Sequence, residues 1–140
     1  RFGDPETQPI MMRLKSDLVA LCNSALDGKL DQTTVEWDKR AALGVVLAAA
    51  DYPGDYPKGD VINGLDGADS ADARIFHAGT ALKDDDVVTA GGRVFCAVGL
   101  GNSVHEAQTN AYALCKKISW KGMFYRHDIG YRAVAREQNK

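Results

Sequence analysis

The chain has 140 residues, of which 45% are hydrophobic and 26% charged, enough for one buried core and a short piece of a second domain. Its 17 basic and 19 acidic residues give a net charge of −2, so electrostatics favour neither nucleic acid nor an anionic membrane as a partner. The longest apolar run, residues 41–50, is about half of a membrane span, and three widely spaced cysteines without a Cys-x-x-Cys pair predict a reduced, cytoplasmic protein.

The first nine residues, Arg-Phe-Gly-Asp-Pro-Glu-Thr-Gln-Pro, combine one cation and two carboxylates with a glycine and two prolines. Proline fixes φ and removes a backbone donor, whereas glycine permits conformations that other residues resist. The pattern predicts a rigid loop that presents Arg1, Asp4 and Glu6 at the entrance of a helix. From spacing alone, a solvated turn that merely precedes the helix is the alternative.

A one-sided helix is predicted from Pro9 to Asp27, with Gly28 at its C-terminal end. Its apolar positions are Met11, Leu14, Leu18, Leu21, Cys22 and Ala25. Residues 29–40 are polar and of mixed charge, and we place a domain boundary near Asp38. Residues 1–38 would then be the tail of a preceding domain, with an apolar helix face that needs partners, and residues 39–140 would form a small β-rich domain.

The next part of the chain has the pattern of short strands separated by turns. Strands are predicted at residues 42–49, 61–62, 75–82, 87–90 and 93–98. Residues 51–60 carry the Pro-Gly and Lys-Gly-Asp chemistry of a structured loop, and residues 64–73 are small and acidic like a surface loop. Hairpin connections at residues 83–86 and 91–92 favour an antiparallel sheet.

Ser103 and Glu106 form a capping box at the start of a second amphipathic helix. The apolar face of this helix contains Val104, Ala107, Ala111, Leu114, Cys115 and Ile118. A short final element is predicted at residues 129–135. The sequence therefore predicts an α+β domain, in which an antiparallel sheet packs against one main helix.

Several motifs imitate functional sites without their context. Gly99-Leu-Gly101-Asn-Ser-Val104 follows a strand and opens a helix, but it lacks the third glycine and the parallel crossover of a dinucleotide fingerprint. The acidic run 84–86 lacks the glycine and distal glutamate of a calcium loop and fits a solvated hairpin tip. His77, His105 and His127 do not share a helical turn, so their spacing builds no zinc site.

Five blocks of the sequence together resemble one enzyme family. They are Arg1 to Gln8, Tyr52 to Ile62, Phe76-His-Ala-Gly-Thr80, Thr89-Ala-Gly-Gly-Arg-Val94 and Phe124 to Ala133. In this order, along almost the whole chain, they resemble the phosphoribosylamine–glycine ligases (glycinamide ribonucleotide synthetases), which are ATP-grasp enzymes. The resemblance implies that this chain is the C-terminal part of such a ligase. Its nucleotide-binding domains would precede Arg1, and a chain opening with Arg-Phe-Gly fits a fragment.

The resemblance implies a ligase that joins glycine to 5-phosphoribosylamine while ATP is split to ADP and phosphate. Such phosphoryl chemistry needs Mg²⁺ and fixed cations rather than a protein nucleophile. Arg1 matches the last position of the Glu-x-Asn-x-Arg run of ATP-grasp ligases, whose Glu and Asn hold the metal. The ligands of ATP and Mg²⁺ would therefore lie mainly upstream of Arg1, and this chain alone would be inactive.

The resemblance also implies roles for individual residues. Arg1 would stabilise the transferred phosphate, whereas Asp4 and Glu6 would orient Arg1 or bind the substrate amine. Tyr52 and Lys58 would border the nucleotide or sugar-phosphate pocket, unless their loop is a purely structural turn. The alternative to an enzyme part is a stand-alone binding or interaction module with the same fold.

Overall fold

The computed structural model describes residues 3–139 and contains four α-helices and five β-strands in that range. The helices are α1 (Thr7–Arg13), α2 (Leu18–Leu26), α3 (Val104–Cys115) and α4 (Tyr131–Gln138). The strands are β1 (Ala41–Ala48), β2 (Ala73–His77), β3 (Thr80–Lys83), β4 (Asp86–Thr89) and β5 (Arg93–Gly101). Strands β1, β5 and β2 form an antiparallel sheet in that order, and β3 pairs with β4 in a separate ribbon. The predicted α+β class is confirmed.

The central strand β5 is the best-buried element of the fold. From Val94 to Gly101 every residue is buried, with β1 on one side and β2 on the other. Its two faces are covered as well, because both α3 and α1 pack against β1 and β5. A strand enclosed in this way needs apolar or small residues at every position, which explains why β5 shows no polar alternation.

Alternate residues of the sheet face opposite helices. Leu43, Val45 and Leu47 join the main core with α3, whereas Gly44 faces the other way, towards α1. A Cβ atom on Gly44 would lie 2.9 Å from Cγ of Pro9 and 3.0 Å from Sγ of Cys96. The absence of a side chain at Gly44 therefore lets the first turn of α1 lie directly on the sheet.

The predicted continuous helix from Pro9 to Asp27 is wrong, because the chain forms two helices separated by Leu14–Asp17. Backbone groups in the break pair with a later segment: Lys15 N donates to Glu36 O and Asp38 N donates to Arg13 O. Asp17 then caps α2 by accepting a hydrogen bond from Ala20 N at 2.9 Å. Pairing with residues 36–38 thus replaces the helical hydrogen bonds that periodicity alone had predicted.

Three predictions about the strands are also wrong. Residues 75–82 form parts of β2 and β3, with a break at Gly79, and Gly91–Gly92 does not form a hairpin because β4 and β5 belong to different sheets. Val61 makes only an isolated bridge, to Val88. The β3–β4 hairpin is confirmed, and its tip carries Asp84 and Asp85 at φ of 49° and 70°.

The predicted capping box at the start of α3 is confirmed. Ser103 Oγ accepts from Glu106 N at 3.0 Å, and the Glu106 carboxylate accepts from Asn102 N at 2.6 Å. Helix α4 adds a second cap, because Glu137 accepts from Val104 N at 2.8 Å. The negative charge of Glu137 also suits the positive end of the α3 dipole, so the last helix is fastened to the main one.

The three thiols are all free, but their environments differ. Cys22 is exposed on α2, on the apolar helix face that is predicted to need partners, whereas Cys96 and Cys115 are buried. Burial raises the pKa of both buried thiols to about 12, and the negative charge of Asp4 adds to the effect at Cys96. Among the helices within residues 3–139, none combines the length and apolar character needed to span a membrane.

We expect a thiol reagent at pH 8 to label Cys22 rapidly and to leave Cys96 and Cys115 unmodified until the chain unfolds. The thiolate is the reactive form, and a pKa of about 12 leaves roughly one part in ten thousand ionised at pH 8. Mass spectrometry of the labelled peptides, with and without urea, checks this. Rapid labelling of Cys96 in the native chain would contradict the packing of α1 on the sheet.

Candidate functional site

The loop before α1 is held by its second described residue, Asp4. The two carboxylate oxygens of Asp4 have different partners: Oδ1 accepts from Gln8 Nε2 at 3.2 Å, and Oδ2 lies 2.7 Å from Nε of Arg93. The loop also closes on itself, because Thr7 N donates to Gly3 O at 2.9 Å and the Asp4–Pro5 peptide is cis. Asp4 therefore joins the loop both to α1 and to the first residue of β5.

A corner of three small or charged residues, Gly91, Gly92 and Arg93, leads into β5. Gly91 N donates to Gly79 O at 3.0 Å, and a Cβ atom on Gly79 would lie only 2.6 Å from Cα of Gly91. Gly92 O accepts from Ala49 N at 2.8 Å. The glycines let two backbone segments approach within contact distance, and this fixes the position from which Arg93 projects.

The Tyr52–Lys58 loop lies against the same corner. A Cβ atom on Gly92 would lie 2.2 Å from the ring of Tyr52 and 2.8 Å from that of Tyr56, so both rings rest on this glycine. The ring centroids of Tyr52 and Tyr56 are 6.1 Å apart, and Lys58 Nζ lies 5.7 Å from the Tyr56 centroid. The Tyr52–Pro53 peptide is cis. The cation of Lys58 is thus placed beside an aromatic pair at the edge of the corner.

The structure brings three predicted site residues into one neighbourhood. Asp4 contacts Arg93, Tyr52 contacts the adjacent Gly92, and Lys58 lies over the neighbouring ring of Tyr56. Glu6 is exposed, and its side chain makes no hydrogen bond or ion pair within residues 3–139, although its carbonyl accepts from Ile10 N. Arg1, the predicted catalytic residue, lies outside the described residues.

Sequence reasoning missed Arg93 as a member of the site. The residue was part of a motif, Thr89 to Val94, yet nothing in that motif assigned it a partner. A basic residue directly after two glycines and directly before a buried strand was the available signal, because a charged side chain is rarely buried without a partner. Its pairing with Asp4 joins residues far apart in the chain and needs the fold.

The histidine of the His77-Ala-Gly-Thr80 motif has a structural environment. His77 Nδ1 lies 2.9 Å from Thr80 Oγ1, across the turn between β2 and β3, and the imidazole meets the Phe95 ring edge-on at 4.8 Å between centroids. This hydrogen bond lies within the turn between β2 and β3 and does not cross the sheet. The glycines of the rejected dinucleotide fingerprint, Gly99 and Gly101, likewise face α3.

Charged side chains of both signs lie around the site, because the carboxylates of Asp4 and Glu6 accompany the cations Lys58 and Arg93. Within residues 3–139, no group of three His, Cys, Asp or Glu side chains is arranged to hold a metal ion. Gln8 Oε1 is buried without a hydrogen-bond partner among the described residues, so the site has one unused acceptor.

The fold and the site together define a class of protein. It is an α+β domain in which a glycine-rich corner joins an N-terminal acidic loop to a tyrosine loop. Residues 42–132 match the family model described as "Phosphoribosylglycinamide synthetase, C domain". The chain belongs to this family.

Similar proteins align with this chain over its whole length or nearly so. It is 65% identical over 140 residues to a phosphoribosylamine–glycine ligase of Vibrio cholerae, and 64% and 61% identical to those of Salmonella typhimurium and Pseudomonas syringae. The alignments cover 99–100% of this chain but only 32–33% of those relatives. A crystal structure of phosphoribosylamine–glycine ligase from Thermotoga maritima superposes with a TM-score of 0.73 at 37% identity, over 92% of this chain and 31% of the other. The chain thus spans about a third of the length of the relatives it matches.

Proposed function

We propose that the chain is the C-terminal third of a phosphoribosylamine–glycine ligase of purine biosynthesis. The observation that carries the proposal is 65% identity over 140 residues to a protein with that name, which extends through the acidic loop as well as the β-rich domain. The aligned region includes the acidic loop, Arg93 and the Tyr52–Lys58 loop. Function belongs to such a site rather than to the fold alone.

The proposed reaction has two steps. The glycine carboxylate attacks the γ-phosphorus of ATP, which releases ADP and gives an acyl phosphate. The amine of 5-phosphoribosylamine then attacks the acyl carbon, an amide bond forms, and phosphate leaves while the nitrogen loses a proton. Both steps move negative charge onto phosphoryl oxygens, so fixed cations in a site that excludes water lower the barrier.

In this proposal Arg1 is the cation that stabilises the transferred phosphate and the acyl phosphate. Asp4 orients the loop rather than binding the substrate amine, because its two oxygens already have Gln8 and Arg93 as partners. Glu6 is exposed and without a partner within residues 3–139, so it is the carboxylate available to the substrate amine. The structure therefore supports different roles for two carboxylates that the sequence did not separate.

Tyr52 and Lys58 are proposed to border the sugar-phosphate or nucleotide pocket. Their loop rests on Gly92, next to the residue that pairs with Asp4, so it lies beside the acidic loop. The side chain of Lys58 belongs to an exposed residue, so its ammonium group is accessible to a phosphate.

ATP and Mg²⁺ are proposed to be held mainly by residues that precede Arg1. Mg²⁺ would neutralise phosphate charge, and its proposed ligands are residues that precede Arg1. The preceding domains are also the proposed partner of α2, where Leu18, Val19 and Leu26 are 49%, 69% and 86% exposed. Apolar side chains exposed along one short helix are costly unless another surface covers them.

We further propose that residues 1–38 are the tail of the ATP-grasp domain and residues 39–140 the small β-rich domain, in a cytoplasmic enzyme. Helix α1 nevertheless packs on β1 and β5, so the two proposed parts share an interface. The three free thiols are consistent with a reducing compartment. No observation favours the alternative, a stand-alone interaction module, over the ligase.

The test compares the 140-residue chain with the full-length protein that contains it. We expect the full-length protein to release ADP only when glycine and 5-phosphoribosylamine are both present, and the chain alone to release none above background. A coupled ADP assay with each substrate omitted in turn measures this. Amine-independent ATP hydrolysis by the full-length protein, or substrate-dependent turnover by the chain alone, would overturn the assignment.

A further inference from the structure

The ion pair between Arg93 and Asp4 links the acidic loop to the most rigid part of the molecule. Arg93 is followed by Val94, which is fully buried, and its own carbonyl accepts from Gly79 N at 2.9 Å. Across the sheet, Arg93 is the register partner of Ala48, at the irregularity that ends the β1–β5 ladder. The backbone at Arg93 is therefore held from two sides, so its side chain starts from a fixed point.

The acidic loop has few other anchors. Within residues 3–139, the side chain of Asp4 contacts only Gln8, on α1, and Arg93, on β5, through polar groups. Glu6, the residue before α1, provides no side-chain cap for the helix. The contact with Arg93, at 2.7 Å, is thus the one polar side-chain link between this loop and the sheet among the described residues.

We propose that Arg93 is a positioning residue of the ligase: it holds the Gly3–Glu6 loop, which follows Arg1 in the sequence, in place for phosphoryl transfer. This inference rests on the proposed function, because Arg1 has no task without a phosphoryl group. Displacement of a catalytic cation by about 1 Å is enough to lower a rate by roughly a hundredfold. In this proposal Arg93, on β5, fixes the position of the acidic loop relative to the β-rich domain.

The pair is suited to positioning rather than to stabilising the fold. The side chains of Arg93 and Asp4 are 44% and 29% exposed, and partly exposed ion pairs of this kind contribute little to the free energy of unfolding. Loss of the pair should therefore change the rate far more than the melting temperature. This contrast separates positioning from a purely structural role.

The test uses the full-length ligase with Arg93→Ala, Asp4→Asn, the double variant and Arg93→Lys. We expect each single loss to lower kcat about tenfold to a hundredfold, with KM for ATP within threefold and Tm within about 3 °C. The double variant should be no slower than the slower single variant, because both remove the same link. Arg93→Lys, which keeps the charge, should recover part of kcat.

Arg74→Ala is the matched control, because Arg74 also pairs with an aspartate, Asp69, at 3.7 Å and lies on β2 of the same sheet. It should leave kcat within twofold of wild type. A kcat for Arg93→Ala within twofold of wild type, additive losses in the double variant, or a loss that follows a fall in Tm would overturn the inference. If the wild-type ligase itself shows no glycine- and amine-dependent turnover, the proposed function fails instead, and this outcome is distinct from all three.

Discussion

Replacing Gly99 with alanine should lower the free energy of unfolding by about 3 kcal/mol, the upper part of the range for overpacked cores. A Cβ atom on Gly99 would lie 2.3 Å from Ala107 O and 2.5 Å from Ala111 N, which are helical backbone atoms rather than movable side-chain ends. The methyl group would overlap with the backbone of α3 at Ala107 and Ala111, which are four residues apart, the spacing of a helical hydrogen bond. Either α3 moves away from β5 or the helix distorts.

The same close approach recurs two residues along the strand, at Gly101. A Cβ atom there would lie 2.4 Å from Ala107 N. Gly99 and Gly101 therefore leave one face of β5 without side chains, and α3 packs on this surface. Urea and thermal unfolding of the Gly99→Ala chain should show Tm lower by about 10 °C. Gly54→Ala is the control and should cost much less, since its nearest contact, Asp51 O, would be 3.1 Å away rather than 2.3 Å. Wild-type stability of the Gly99 variant would show that α3 does not pack closely on β5.

Local signals predicted the elements whose hydrogen bonds are local. The Ser103–Glu106 capping box, the acidic hairpin tip and the apolar strand at residues 42–49 all appear as expected, with β1 starting one residue earlier. The wrong predictions concern places where backbone groups form hydrogen bonds with segments that are distant in the sequence. The bridge between Leu14 and Trp37 interrupts the first helix, and the pairing of β5 with β1 and β2 removes the hairpin expected at Gly91–Gly92.

The candidate site shows the same division. Resemblance to a family placed Asp4, Tyr52 and Lys58 in the site from the sequence, but it could not show that Arg93 contacts Asp4 or that Tyr52 rests on Gly92. Those contacts join segments that are far apart in the chain, which no periodicity encodes. The structure was also needed to distinguish the two carboxylates, because the sequence does not show that Asp4 is paired and that Glu6 is exposed.

Replacing Arg1 with alanine in the full-length ligase should reduce kcat by about a hundredfold to a thousandfold, the usual cost of losing a group that stabilises developing charge. The physical reason is that Arg1 is proposed to face the phosphoryl group only while charge builds on it, so the loss falls on the transition state rather than on substrate binding. We therefore expect KM for glycine and ATP to change by less than about fivefold. Steady-state ADP release and a rapid-quench measurement of the first turnover would check both numbers.

Two further variants make this result specific to the position of Arg1. Arg1→Lys keeps the charge but loses the planar donor geometry, so it should recover only part of the rate. Arg136→Ala removes an equally basic residue from the exposed surface of α4 and should leave the rate unchanged. Because Asp4 is held by Arg93, the Arg1→Ala defect should be little deepened by adding Arg93→Ala, since a positioning residue has no effect once the group it positions is gone. An Arg1→Ala ligase with wild-type kcat would remove Arg1 from the chemistry and leave the Asp4–Arg93 pair as a purely structural contact.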